Sequence, residues 1–137
     1  MNNLFDLLKV LYCIKFFAKD IHYTAKGDSF YSDHLLADRI IDGLDDFIDD
    51  INENLYLGFE EKAPISKQVI AGVAEDLMLV QDDTKVNWRR LYSYLEEAEE
   101  LIYKIEEEYK FPQISSLLDN IANDLQKKKG LIWRRLV

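Results

Sequence analysis

The segment HYTAKGDSFYSDHLLADRIIDGLDDFIDDINENLYLG, residues 22–58, holds a helix stop, both histidines of the chain and a regular set of carboxylates. Lys26-Gly27-Asp28-Ser29 ends one helix and offers Asp28 or Ser29 to cap the next. From Phe30 on, Leu36, Ile40, Leu44, Phe47, Ile51 and Leu55 recur at spacings of three and four. That pattern predicts one long amphipathic helix over 30–57. Gly58 stands where a left-handed cap would end it.

Upstream, Leu4, Leu7, Leu8, Leu11, Ile14, Ala18 and Ile21 predict a helix over 2–23. Downstream, a linker with Pro64 leads to a shorter helix over 66–79. Asp82-Asp83-Thr84 then precedes a long helix over 85–109, whose Leu91, Leu95, Ala98, Ile102 and Ile105 share one stripe. Pro112 suits the first turn of a last helix, running to about residue 136. The expected fold is all-α: a four-helix bundle with a short extra helix in the connection between helices two and three. Residues 1–137 are expected to form a single domain, long enough for a real core.

Apolar residues make up 48% of the 137, which fits a folded globule, and the 5 Gly and 2 Pro leave little turn chemistry for many strands. The formal charge of −9 opposes a nucleic-acid backbone and attracts cations. Lys127-Lys128-Lys129 and Arg134-Arg135 read as charges near a helix C-terminus. Glu96-Glu97, Glu99-Glu100 and Glu106-Glu107-Glu108 read as a solvated face. Cys13 is the only cysteine, so no intramolecular disulfide or thiolate zinc cluster is expected, and a reducing cytoplasm suits the chain. Asp6, Lys9 and Lys15 interrupt the first apolar run, which argues against a signal peptide and a membrane span.

The predicted second helix carries His34, Asp38, Asp49 and Glu53. His34/Asp38 and Asp49/Glu53 are each four apart, hence neighbours on a helix face. On one continuous helix all four fall within roughly 100° of arc. Asp38 and Asp49 are nevertheless about 16 Å apart at ~1.5 Å per residue, too far to share an ion within one chain. Two copies packed antiparallel about a two-fold axis would bring His34/Asp38 of one against Asp49/Glu53 of the other, crossing between Gly43 and Leu44. Gly43 would there permit close backbone approach, and His22 would complete each site. Two imidazoles and three carboxylates suit ferrous iron, with zinc or manganese as competitors. No Glu-x-x-His pair occurs, which excludes the intrachain di-iron motif of ordinary ferritins. Asp42, Asp45, Asp46 and Asp50 lie in the same helix, so carboxylates at a chosen spacing describe a solvated face equally well. Having both histidines in the constellation is what singles it out.

The segment resembles the Dps family of miniature ferritins. The family pattern is His, eleven residues, His, three residues, Asp, ten residues, Asp, three residues, Glu, and His22, His34, Asp38, Asp49 and Glu53 stand at each position. His22-Tyr23-Thr24-Ala25-Lys26-Gly27 is similar to the family's His-Trp-Asn-Val-Lys-Gly. Lys129-Gly130-Leu131-Ile132-Trp133-Arg134-Arg135-Leu136 resembles its closing Lys-His-Ile-Trp-Met-Leu-Arg. The likeness is loose over about residues 59–110. It implies a twelve-subunit cage that oxidises Fe(II) at the dimer interface, usually with hydrogen peroxide and otherwise with oxygen, and stores ferric mineral. It further implies a di-iron site with Asp49 and Glu53 as primary ligands alongside His22 of the partner subunit. His34 and Asp38 would form a weaker second position.

Three departures from the family pattern shape the expectations. The first helix is expected to begin within a few residues of Met1, leaving no lysine-rich tail, so direct DNA binding is not expected. Tyr23 replaces the family's tryptophan. The stretch Phe111-Pro112-Gln113-Ile114-Ser115-Ser116, with Asp119 and Asp124 beyond it, departs from the family's acidic pore. The favoured reading is a ferroxidase and iron-storage homo-oligomer. The alternatives are a helical structural oligomer without turnover and, least favoured, a DNA-compacting protein.

Overall fold

The computed structural model describes residues 2–137, and among them it contains helices and no strand. The helices are α1 (Asn2–Thr24), α2 (Phe30–Ile41), α3 (Leu44–Asp50), α4 (Ser66–Asp76), α5 (Thr84–Glu108) and α6 (Pro112–Leu136). Beyond α3 the chain continues through a π-helical turn, Ile51–Tyr56, and a 3-10 turn, Leu57–Phe59. Buried side chains from all six helices form one cluster. Every apolar position expected on the inward faces of α1 and α5 is buried, and Trp88 joins them. Each such Leu, Ile or Phe contributes about 1.5–3 kcal/mol by leaving water. Among the described residues no helix is long and apolar enough to cross a membrane.

Side-chain contacts fix the helix directions. Asn3 donates to Glu108, and Phe17 meets Tyr94 edge-on, so α1 and α5 run antiparallel. Lys15 reaches Asp45 while His22 meets His34, which makes α1 antiparallel to α2 and α3. Lys129–Glu99 sets α6 against α5, and Arg135–Asp33 with Lys128–Asp42 sets α6 against α2. The result is a ring α1, α2/α3, α6, α5 in which every neighbour is antiparallel.

Trp88, near the start of α5, bonds Asp33, near the start of α2. The chain between α3 and α5 must therefore travel the length of the bundle. α4 makes part of this return along α1. Lys9 lies across it between Asp6 and Asp76, and a Cβ on Gly72 would meet the Lys9 side chain. Buried Asn87 then pins the strap by accepting from Gln81 N at 2.7 Å and donating to Gln81 O at 2.8 Å.

The predicted second helix differs from the structure at its middle and at its end. Asp42 (φ −57°, ψ 129°) and Gly43 (φ 82°, ψ −9°) form a type II turn that separates α2 from α3. Apolar spacing runs straight across this point, but the acids do not favour an unbroken helix. In one, Asp42 would repel Asp45 and Asp46 at three- and four-residue spacing. A new N-terminus at Leu44 instead places Asp45 and Asp46 in a first turn, where the helix dipole favours them. Gly43 supplies the positive φ that the turn needs. At the far end the left-handed residue is Glu60 (φ 59°), not Gly58.

Candidate functional site

α1 ends at Thr24, with His22 in its last turn, and the turn through Gly27 (φ 84°) brings α2 back against it. His34 lies in the second turn of α2. His22 Nδ1 lies 3.0 Å from the backbone oxygen of His34, and His34 Nδ1 lies 2.9 Å from that of His22. A carbonyl can only accept, so both Nδ1 atoms carry hydrogen and donate. In the neutral rings this leaves a lone pair on each Nε2, the tautomer a metal ion requires. The rings stack with centroids 3.6 Å apart and planes 20° apart. Tyr23 covers His22 edge-on at 5.3 Å, and Phe30 flanks His34 at 5.2 Å.

Asp38 stands one turn after His34, its Oδ1 3.9 Å from His22 Nδ1 and its side chain 65% exposed. The structure thus gathers His22, His34 and Asp38 at one corner. Asp49, at the end of α3, and Glu53, in the π-helical turn, are exposed on the other side of the Asp42–Gly43 turn. The common 100° arc holds only for a continuous helix, and the type II turn removes that basis. Each pair keeps its own four-residue spacing. Among the described residues, no three His, Cys, Asp or Glu side chains converge to hold a metal ion within one chain.

Directly beneath His34 is a network that spacing did not reveal. Asp33 is 0% exposed. Its Oδ1 accepts from Trp88 Nε1 at 3.1 Å and from Arg135 Nε at 2.6 Å; its Oδ2 accepts from Ser29 Oγ at 2.8 Å and Arg135 Nη2 at 3.2 Å. Burial alone would push the carboxyl pKa up, but the bonds from Arg135, Ser29 and Trp88 outweigh it and hold it below its usual range. The one sequence signal was an acid directly before a histidine, with a basic pair near the C-terminus. Of the two basic clusters near the end of α6, Lys128 and Arg135 turn inward rather than serving only as helix-end charges. Lys128 is buried, pairs with Asp124 at 2.8 Å and donates to Asp42 O.

The opposite end of the bundle is chemically different. Asp119 faces Glu106, whose pKa is pushed up to about 7, first by burial and then by the neighbouring carboxylate. Beside them lies an open cleft of about 830 Å³ whose lining includes four carboxamides, Asn54, Gln113, Asn120 and Asn123. Asp124, considered for a pore, is engaged by Lys128. Cys13 is buried, and burial pushes its thiol up to about 11, so it is a core residue rather than a nucleophile.

No protein-family model matches the chain, and no curated protein matches it.

Proposed function

We propose that this protein is a Dps-like ferroxidase, whose fold is ferritin-like and whose site is divided between two subunits. The observation that carries the reading is the reciprocal histidine pair. Two imidazoles with Nδ1 committed to carbonyls and Nε2 unused stand beside Asp38, at the sequence spacing from Asp49 and Glu53 that the family shows. The antiparallel ring, with a helix-bearing connection spanning the bundle between its second and third long arms, supports the same reading.

In this reading, one subunit supplies His22, His34 and Asp38, and the other supplies Asp49 and Glu53. Fe(II) is the substrate. Two Fe(II) held together give two electrons to one hydrogen peroxide; with two protons the O–O bond breaks to two waters and two Fe(III) form. Pairing the ions avoids the one-electron step that releases hydroxyl radical. Carboxylates supply charge to stabilise the ferric product, and the neutral imidazoles complete the coordination without adding charge. Apolar side chains such as Phe16 and Ile70, exposed beside an apolar groove of about 520 Å³ between α1 and α4, favour a covered face, as a site divided between two subunits requires.

The test is anaerobic Fe(II) titration followed by oxidation. About two Fe(II) should bind per site, and peroxide should oxidise them faster than oxygen. Glu53→Ala should abolish tight binding; undiminished oxidation in that variant rejects the assignment. A second reading, a helical structural oligomer without turnover, draws on the Asp42–Gly43 turn, which alters the alignment of the two ligand pairs. An assembled protein of native secondary structure that neither binds nor oxidises Fe(II) would favour it.

A further inference from the structure

α2 is only 12 residues long and is uncoupled from α3 by the type II turn, so its rotation about its own axis is not set by a continuous helix. That rotation decides whether His34 faces His22. Two contacts from α6 hold it. Arg135 grips Asp33 in the first turns, and Lys128 donates to Asp42 O at the C-terminal end. The two cations are seven residues apart, two turns of α6, and so share one face. α6 runs antiparallel to α2, which brings one cation to each end.

Asp33 and His34 are consecutive, so their side chains leave the helix about 100° apart. Asp33 points inward to α5 and α6; His34 points to α1. Four donated bonds from three residues fix Asp33 from separate directions: Trp88 from α5, Arg135 from α6 and Ser29 from the residue preceding α2. The carboxylate is completely enclosed, and its partners fill both oxygens. Rolling α2 would break these bonds in a site from which water is excluded, whereas an exposed carboxylate would exchange them for water at little cost.

We propose that Asp33, clamped by Arg135, Trp88 and Ser29, is a positioning residue that sets the azimuth of α2 and thereby holds the His34–His22 pair with both Nε2 atoms available to a metal ion. Asp33 itself does not touch the ion. The proposal rests on the ferroxidase reading for its purpose, but its geometric part concerns the metal-free protein.

The experiment is ¹⁵N NMR of the histidine rings in the full-length, metal-free protein, paired with anaerobic Fe(II) titration. Wild type should show two rings protonated at Nδ1. Asp33→Asn keeps the shape but sets an amide against the Arg135 donors. It should remain helical, move the His34 ring nitrogens toward exchange-averaged tautomers and weaken Fe(II) binding about 10–100-fold. Trp88→Phe removes one donor while keeping the bulk, and should move the same resonances in the same direction by less. Folded Asp33→Asn with wild-type His34 resonances and Fe(II) affinity within about twofold of wild type overturns the proposal. Should Asp33→Asn not fold, unchanged His34 resonances in Trp88→Phe overturn it, and shifted ones support it. A wild type that binds no Fe(II) would reject the ferroxidase reading alone, because the ring nitrogens still report on the clamp.

Discussion

The two ends of the broken second arm are built differently. At the His34 end the chain completes its own chemistry: a buried carboxylate receives four bonds, and two imidazoles exchange bonds with each other's backbone. At the Glu53 end the backbone loosens into a π-helical turn. Asn52 Oδ1 and Tyr56 OH are buried without a protein partner, and nearby Glu106 and Asp119 are like charges in contact. π-turns often accompany functional positions in helices, and Glu53 lies within this one. The first end is rigid by internal satisfaction; the second keeps unspent polar capacity.

Arg135→Met should sharpen that contrast most. It leaves Asp33 buried without its cation, a change that costs about 3–5 kcal/mol at neutral pH. In wild type the Asp33 pKa is lowered, so its contribution is present above the unfolded value of about 3.9 and is lost as pH falls through the folded value. In the variant burial acts unopposed by that cation, raising the pKa, so the loss of stability should shrink as pH falls. Urea denaturation at pH 7 and about pH 5 checks both the size and the direction.

The glycines make the next test. Gly43 holds φ 82° with nothing within 4 Å of the position a methyl group would take, so Gly43→Ala meets no clash and its cost is conformational, about 1–2 kcal/mol. Gly58 does not hold a positive φ, and its Cβ would meet only Glu53 O at 3.6 Å. Gly58→Ala should be within about 1 kcal/mol of neutral, toward the stable side. Equal losses in thermal denaturation would show that the turn is not where α2 ends.

Much of this was legible from residue order. Period 3.6 located α1 and α5 closely because each has an uninterrupted apolar stripe, and Pro112 marked the start of α6. The same period misled at Asp42–Gly43, where nothing in it warns of a break: Ile40, Leu44 and Phe47 keep step across the turn. The turn there rests on Gly43 at positive φ, a new N-terminus for Asp45 and Asp46 and a lysine 86 residues away in sequence, and no apolar pattern records them. The histidine pair was visible from composition and spacing. Asp33 was not, because Trp88 and Arg135, which bury and charge-pair it, lie 55 and 102 residues away.

The smallest effect belongs to the Glu53 end. Glu106 has a folded pKa of about 7, above its ordinary 4.5, so the folded state binds its proton more tightly than the unfolded chain. Its contribution to stability is therefore greatest below about 4.5 and is lost as pH rises through about 7. Glu106→Gln should remove that decline and raise the melting temperature slightly at pH 8, with little change at pH 4.5. A fall at pH 8 would mean that the two carboxylates do not repel.

The division of the site between chains is tested most directly by complementation. His34→Ala and Glu53→Ala each damage both sites of their own dimer. Unfolded, mixed and refolded together, they should form mixed dimers in about half of all cases, each with one doubly damaged site and one intact site, so about a quarter of all sites recover. Fe(II) oxidation should rise well above that of either parent. If mixed dimers are shown to form and the mixture stays as inactive as its parents, the site is not shared between two chains in this way.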